Sequence, residues 1–170
     1  MRVRSTLMVM GLLVLFFAGC SEDDRTIDFD MSYLIQIDQS TRAFEAERDI
    51  TLASMDQDFQ DRYDELDTVT VKKLTFTVEG WTTPATLNHA EVSIGRADDT
   101  VFTVIGTIED LDMATYTGGG QALMETDNED YLAELFMNFD TDLKLILTGE
   151  GSGVPLDFTV RIGLDMEGEY

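Results

Sequence analysis

The chain has 170 residues, of which 34 are acidic and 11 are basic, and its net charge at pH 7 is −23. A surface of this charge repels nucleic acids and anionic lipids, which excludes a nucleic-acid partner. The hydrophobic content of 44% excludes a disordered chain, and the length suits a single domain with one core.

The first 19 residues have the order of a secretory signal peptide. Arg2 and Arg4 precede an uncharged stretch whose apolar part, residues 7–19, is 13 residues long. A membrane-spanning helix needs about 20 apolar residues, so this stretch is too short to span a bilayer. The basic start, the apolar middle and the small residues at the end predict export and removal of residues 1–19.

Cys20 is the only cysteine and follows this segment directly. A single thiol in an exported protein must be buried, paired with another chain or modified, and no disulfide can form within one chain. The sequence Phe17-Ala18-Gly19-Cys20 resembles the lipobox of bacterial lipoproteins, with Phe17 where leucine is more usual. This resemblance implies that Cys20 becomes the first mature residue, carries a diacylglyceryl thioether and an acylated amino group, and anchors the protein to a membrane through its lipid.

Residues 20–26 form a short acidic leader, because Glu22, Asp23 and Asp24 come almost directly after the cysteine. The leader resembles that of Bacteroidota surface lipoproteins, in which acids after the lipidated cysteine favour export to the outer face of the outer membrane. The resemblance implies a lipid-anchored protein at the cell surface. Removal of residues 1–19 leaves 9 basic and 34 acidic residues, which is a net charge of −25.

Two alternating segments follow the leader. Apolar and polar residues alternate from Ile27, which predicts a half-buried strand. Its apolar face consists of Ile27, Phe29, Met31, Tyr33, Ile35 and Ile37. The alternation from Phe44 to Leu52 predicts a second strand, which either forms a hairpin with the first or faces it across two sheets.

A helical period begins at Ser54, where Ser54 and Gln57 have the spacing of a capping box. One face of this short helix carries Met55, Phe59, Tyr63 and Leu66. Residues 69–81 return to a strand pattern, but the apolar parity changes at Lys72 and Lys73. This change predicts a β-bulge or a bend.

Residues 88–94 and 100–108 predict two further strands. The second has apolar residues on both faces, so we expect it in the centre of a sheet. Residues 114–126 are the least regular stretch and contain three consecutive glycines, Gly118 to Gly120. Because no Lys-Ser or Lys-Thr follows them, a turn is expected there and not a phosphate-binding loop.

The C-terminal part predicts one helix and two strands. Thr126 and Glu129 have capping-box spacing, and the helix that they begin has an apolar stripe of Leu132, Leu135, Phe136 and Phe139. Residues 143–148 and 154–166 are predicted strands, joined by the turn-rich residues 149–153. The last strand has the clearest alternation in the chain.

Together these elements predict a mainly β protein. About seven short strands with hairpin turns and two short crossover helices favour one antiparallel β-sandwich domain over residues 27–170, with a two-layer α+β sheet as the alternative. In pattern the predicted domain is similar to the small sandwich domains that are common in Bacteroidota lipoproteins.

The residue types needed for most catalytic sites are scarce. The single histidine, His89, lies opposite the apolar set of its predicted strand, and we expect it to face solvent. One histidine and no free thiol leave few ligands for zinc and few partners for nucleophilic catalysis. No Gly-x-Ser-x-Gly occurs, and Gly151-Ser152-Gly153 is interpreted as a hairpin turn.

Acidic pairs offer weak metal or hydrolase candidates. Four pairs have the spacing Asp-x-Asp. They begin at Asp28, Asp56, Asp110 and Asp140, and the last pair ends at Asp142. None continues into an EF-hand loop, so no metal-binding residue is assigned and Ca²⁺ stays a weakly supported possibility. A glycosidase would need two carboxylates across a cleft, and nothing in the sequence marks such a pair.

Two aromatic residues are the weak candidates for a binding site. Trp81, the only tryptophan, follows a predicted strand, and Tyr116 lies near the glycines. An aromatic ring in a loop can stack on a sugar, whereas the alternative for Trp81 is a residue that closes the core.

The sequence therefore predicts a lipid-anchored module without catalytic activity, for binding, adhesion or envelope structure, with a glycan or a protein as the possible partner. The alternatives are a glycan-binding accessory lipoprotein of a polysaccharide-uptake system and, with less support, a carboxylate-dependent hydrolase. No cofactor is predicted besides the lipid on Cys20.

Overall fold

The computed structural model describes residues 25–81, 86–116, 121–124, 126 and 128–170. Eight strands occur in this part of the chain: β1 (Thr26–Gln39), β2 (Ala43–Ile50), β3 (Thr68–Glu79), β4 (Thr86–Arg96), β5 (Thr103–Asp112), β6 (Ala122–Leu123), β7 (Leu143–Gly151) and β8 (Leu156–Glu169). The α-helices are α1 (Gln57–Arg62), α2 (Met113–Tyr116) and α3 (Glu129–Met137), and short 3₁₀ turns lie at Leu52–Ser54 and Tyr63–Glu65.

The strands form two four-stranded antiparallel sheets that enclose one core. One sheet has the order β1-β8-β3-β6 and the other β2-β7-β4-β5. The first strand thus pairs with the eighth, the second with the seventh, the third with the sixth and the fourth with the fifth. A long hairpin rolled into two sheets has this pairing, which is the topology of an eight-stranded jelly roll. The predicted antiparallel β-sandwich is confirmed, and the chain does not adopt the two-layer α+β alternative.

The longest strand pair shows why the alternation forms a sandwich. β1 and β8 pair along their whole length, from Thr26 opposite Glu169 to Gln39 opposite Leu156. The inward-facing residues of β1 are buried: Phe29, Met31, Tyr33, Ile35 and Ile37. A shift of one residue would turn these side chains to solvent, so their burial determines the register.

The predicted irregularity in β3 is a β-bulge. The register of β3 against β8 shifts between Val71 and Lys73, which leaves Lys72 as the extra residue. Val71 before the bulge and Leu74 after it are both buried, although their parities differ. The bulge therefore keeps the apolar side chains on both of its sides in the core.

The prediction of a central strand at residues 100–108 is wrong in position. β5 begins at Thr103 and is the last strand of its sheet. Ile105 and Ile108 face the core, but Val101 lies in the preceding turn and is 78% exposed. A run of apolar residues indicates that its side chains are buried, but it does not indicate how many strands pair with its backbone.

The helix starts differ from the predicted capping boxes. Asp56, and not Ser54, caps α1: its Oδ1 accepts hydrogen bonds from the N–H groups of Asp58 at 2.9 Å and Phe59 at 3.4 Å. Ser54 instead accepts a hydrogen bond from the N–H of Thr51 across the preceding 3₁₀ turn. The N-cap position of α3 is Asn128 and not the predicted Thr126. The Asn128 side chain makes no cap hydrogen bond, and the Thr126 hydroxyl has no hydrogen-bond partner among the described residues, so the predicted box does not form.

Both chain ends of the domain lie at one end of the sandwich, which we call the base. There the N–H of Tyr170 donates a hydrogen bond to the carbonyl of Arg25 at 3.0 Å. The base also includes α1 and the turn at residues 97–102. The turn at residues 40–42, Trp81 and the turn at residues 152–155 lie at the opposite end, which we call the distal end. None of the helices in the described ranges has the length and apolar character needed to cross a membrane.

Candidate functional site

The predicted lipid attachment residue, Cys20, lies outside the described residues, as does the glycine run Gly118 to Gly120. The described chain begins at Arg25, five residues after Cys20, at the base of the sandwich. Lipidation at Cys20 therefore stays a prediction.

Trp81 lies in the core at the distal end. The side chain is 7% exposed, and its ring meets the ring of Phe158 edge-on, with centroids 5.4 Å apart. Phe158 in turn meets Phe44 edge-on at 5.8 Å. The indole Nε1 is buried and has no hydrogen-bond partner among the described residues. Trp81 thus occupies the core-closing position that was the alternative to an exposed sugar-stacking ring.

Tyr116 is the last residue of α2, and the structure describes its backbone only. The helix follows Asp112, whose carboxylate accepts hydrogen bonds from the N–H of Ala114 at 3.1 Å and from the hydroxyl of Thr115 at 3.3 Å. The role of Tyr116 as a candidate binding residue stays a prediction.

The acidic pairs have structural roles at three of their four places. Asp56 and Asp112 cap helices, and Asp140 forms an ion pair with Arg96. Asp28 and Asp30 lie on the outer face of β1. Within the described ranges, no group of three or more histidine, cysteine, aspartate or glutamate side chains is arranged to hold a metal ion.

A depression lies on the distal half of the β2-β7-β4-β5 sheet. We call it the distal groove. Its volume is about 580 Å³, which is within the range of ligand sites. It is lined by Gln39, Ala43, Phe44, Glu45, His89, Thr148, Gly149 and Glu150.

Strand register brings these residues together from distant parts of the chain. In the β2–β7 pair, Ala43 lies opposite Glu150, Phe44 opposite Gly149, and Glu45 opposite Thr148. In the β4–β7 pair, His89 lies opposite Glu150. The groove is therefore built on three adjacent strands, with Gln39 added from the end of β1.

A close approach of three strands at Gly149 shapes the floor. A Cβ atom at this position would lie 2.4 Å from Cζ of Phe44 and 2.6 Å from the carbonyl oxygen of His89. Only glycine fits without displacement of the Phe44 ring or of the β4 backbone. The Phe44 ring itself is 5% exposed and lies on the core side of the sheet against Phe158, so Ala43 is the apolar side chain on the outer face of the groove.

The groove has an acidic rim with one imidazole. His89 lies between Glu150 on β7 and Glu109 on β5, and its Nδ1 is 2.7 Å from Oε1 of Glu109. The His89 side chain is 43% exposed, as the sequence predicted. Neither lysine nor arginine is among the lining residues, so the charges on the rim favour cations and hydrogen-bond donors.

The sequence did not reveal this groove. It pointed to His89 only as a solvent-facing histidine, and to residues 149–153 only as a turn. The lining residues are up to about 110 positions apart in the sequence and belong to strands whose order the alternation does not encode. A glycine in strand β7 was the one local sign of a close approach.

A second depression, of about 310 Å³, lies on the outer face of the other sheet around Gly163 of β8. Gly163 pairs with Ser32 on one side and with Thr75 on the other. Arg161 forms one wall, with its guanidinium bonded to Glu79 at 2.7 Å and to the hydroxyl of Ser32 at 3.1 Å. The guanidinium of Arg161 is therefore already engaged in an ion pair with Glu79, a residue of the same sheet.

Comparisons with known proteins yield no family. No protein-family model matches the chain, and no curated protein matches it. Among solved structures, the empty head of turnip yellow mosaic virus is similar at 12% identity and TM-score 0.36, covering 99% of this chain and 89% of that chain. Desmodium yellow mottle tymovirus is similar at 12% identity and TM-score 0.31, with 99% and 95% covered. The cyanophage Pam1 capsid is similar at 10% identity and TM-score 0.32, with 96% and 94% covered. At these values the similarities carry no information on function.

Proposed function

We propose that the chain is an exported protein, anchored through a lipid on Cys20 at the cell-surface face of the outer membrane, and that its jelly-roll domain is a non-catalytic binding module. The ligand site in this proposal is the distal groove. One relationship carries the proposal: the groove and the point where the leader joins the domain lie at opposite ends of the sandwich.

Distances along the chain support an upright orientation. Arg25 is five positions after Cys20, and extended chain covers at most about 3.6 Å per residue, so the base stays within about 18 Å of the anchor. β1 then runs from the base to the distal end over 14 residues. At about 3.3 Å per residue, this strand spans about 45 Å. An anchored domain can therefore present the groove well away from the lipid surface.

The charge of the base bears on the distance between the domain and the lipid surface. Its helical segment between β2 and β3 is rich in acids: Asp56, Asp58, Asp61, Asp64, Glu65 and Asp67. The turn at the base between β4 and β5 adds Asp98 and Asp99, both exposed. Anionic headgroups repel such a surface, which favours an orientation in which the domain stands off the membrane on its leader.

Replacement of Cys20 by serine tests the anchor. We expect the parent protein to fractionate with the outer membrane, and the Cys20→Ser variant to leave that fraction and accumulate as unprocessed precursor. Precursor and mature forms are distinguished by mass. A serine variant that stays in the membrane fraction at the mature mass would contradict the proposed anchor.

Single added cysteines test the exposed face and the orientation. Ser40→Cys lies in the distal turn, and Asp98→Cys is its matched control at the base, since both residues are exposed. We expect a membrane-impermeant maleimide to label Ser40→Cys on intact cells, and the Asp98→Cys site to react more slowly because the membrane is near. If both sites react only after the outer membrane is broken, the domain does not lie at the cell surface.

A further inference from the structure

We infer that the distal groove receives an extended, lysine- or arginine-bearing segment of a partner protein, which adds as a strand to the free edge of β2. This inference rests on the proposed function, because it takes the distal groove as the ligand site. It goes beyond that function by naming the class of partner and the way in which it binds.

The charge of the lining indicates a cationic ligand. Glu45 and Glu150 are exposed carboxylates on the rim, and His89 is already bonded to Glu109. Arg42 precedes the groove residues in the chain but is not among the lining side chains. A ligand with phosphate or carboxylate groups would be repelled by Glu45 and Glu150, whereas an ammonium or guanidinium group is attracted to both carboxylates.

Ala43 can contact the stem of a long basic side chain. It lies on the outer face of β2 beside Glu45 and opposite Glu150, so apolar surface adjoins the two rim carboxylates. Lysine and arginine pack their methylene groups on apolar surface while the charged end stays at a polar boundary. A volume of about 580 Å³ is ample for one such side chain together with its backbone.

The edge of β2 supplies the backbone partner. β2 is the terminal strand of its sheet, and in the described ranges it pairs with β7 alone. Its other edge therefore offers backbone N–H and C=O groups to an added strand. Every second residue of β2 has its side chain on the outer face of the sheet, namely Ala43, Glu45 and Glu47. The side chains on the same face of an added strand would therefore lie beside Glu45 and Glu47.

A second copy of the chain does not suit this edge. Pairing of β2 with β2 of another molecule would bring Glu45, Glu47 and Asp49 of the two copies together. Glu47 already has a cation, Lys144, at 2.9 Å, but the other two acids have no ion pair among the described residues. Like charges opposite one another destabilise a strand pair, so this edge favours a partner of opposite charge over a second copy of the chain.

The test uses the full-length protein in a nonionic detergent and a fluorescein-labelled octapeptide of alternating valine and lysine. The matched probes are a valine–glutamate octapeptide, a valine–lysine octapeptide with proline at two central positions, and maltoheptaose as a neutral glycan. We expect the valine–lysine peptide to bind, measured by fluorescence anisotropy, and the glutamate and proline peptides to bind at least about tenfold more weakly.

Two double variants locate the binding. Glu45→Gln with Glu150→Gln should weaken binding of the valine–lysine peptide by about tenfold. The control, Asp98→Asn with Asp130→Asn, removes the same charge from exposed residues outside the groove and should change the affinity less than about twofold.

The outcomes separate this inference from the proposed function. Equal weakening by both double variants, or equal binding of the proline peptide, overturns the inference, since the attraction would then be general electrostatics. Absence of peptide binding overturns it as well. If maltoheptaose binds and Glu45→Gln with Glu150→Gln abolishes that binding, the groove is the ligand site but the partner class is wrong. Failure of the proposed anchor is read separately, from fractionation of the Cys20→Ser variant.

Discussion

The hydroxyl of Tyr63 joins the segment after α1 to the end of α3: it accepts a hydrogen bond from the N–H of Phe139 at 2.6 Å and donates one to the carbonyl of Met137 at 3.1 Å. Tyr63 and Phe139 are 76 positions apart in the sequence. Next to this clamp, Phe59 is fully buried, with its ring centroid 5.6 Å from that of Tyr63 and 6.1 Å from that of Phe136. The base is thus closed by aromatic packing and by two hydrogen bonds between the Tyr63 hydroxyl and the backbone at the end of α3.

Tyr63→Phe is expected to lower the free energy of unfolding by about 1–2 kcal/mol, because it leaves two partly buried backbone groups without their partner. For a domain of this size the midpoint of thermal unfolding should fall by about 2–4 °C per kcal/mol. Circular dichroism during heating measures the change. Tyr131→Phe is the control, since no hydrogen bond of the Tyr131 hydroxyl occurs among the described residues, and it should shift the midpoint little. Equal shifts would show that the clamp does not contribute to stability.

Gly163→Ala is expected to destabilise the fold by about 1–3 kcal/mol, because the added Cβ would lie 2.4 Å from Oγ1 of Thr75. Thr75 is 8% exposed, and its hydroxyl donates a weak hydrogen bond to the carbonyl of Gly163 at 3.4 Å. Urea unfolding of the single variants and of the double variant with Thr75→Ala measures the coupling.

The double variant should lose less stability than the sum of the two single losses, since Thr75→Ala removes the atom that the new methyl group meets. Additive losses would show that the cost of Gly163→Ala arises elsewhere.

Trp81 should report on the core and not on a ligand. As the only tryptophan, it accounts for the indole fluorescence. At 7% exposure, its emission is expected at short wavelength, with little quenching by iodide until the protein unfolds. Addition of a neutral oligosaccharide should leave the spectrum unchanged. Strong iodide quenching of the folded protein would contradict the placement of the ring against Phe158.

The stability should fall at alkaline pH because of Tyr33. Burial raises the pKa of its hydroxyl above the usual value, and the nearby Arg48 opposes this in part. Above pH of about 10 the unfolded chain releases this proton while the folded protein retains it, so the free energy of unfolding is fully present below that pH and decreases above it. One such group contributes a slope of about 1.4 kcal/mol per pH unit.

Urea unfolding of the parent and of Tyr33→Phe between pH 8 and 11 checks this prediction, with Tyr131→Phe as the matched control. Tyr33→Phe should remove the additional alkaline slope, and Tyr131→Phe should retain it. The phenylalanine variant also loses the hydrogen bond from the hydroxyl to Sδ of Met31 at 3.2 Å, which lowers stability equally at all pH values. A parallel alkaline decrease in all three proteins would contradict the role of Tyr33.

Much of the local structure could be predicted because the alternation of apolar and polar residues along each strand shows which of its side chains are buried. The alternation in β1 and β8, the change of parity at Lys72 and the outward side chain of His89 all follow from the pattern of apolar residues along a pleated backbone. Capping was less predictable, because Ser54 and Asp56 are both suitable caps and only the geometry of the turn selects between them.

The candidate site could not be predicted to the same extent. The sequence favoured a core-closing position for Trp81 over an exposed sugar-stacking ring but could not name its neighbours, and contact with Phe158 places it in the core. The distal groove combines residues of β2, β4 and β7, and no local pattern states that these strands are neighbours.

The sequence by itself thus determined which segments form strands, which of their faces are apolar, and where a signal peptide, a lipidation motif and an acidic leader are expected. Only the tertiary structure decided the strand order, the edge positions of β2 and β5, the burial of Trp81 and the meeting of Glu45, His89 and Glu150 at one groove. The physical reason is that side-chain periodicity depends on a strand's own contact with the core, whereas pairing depends on the packing of all strands together. Similar alternating strands can satisfy the first condition in many orders, and the second condition selects one of them.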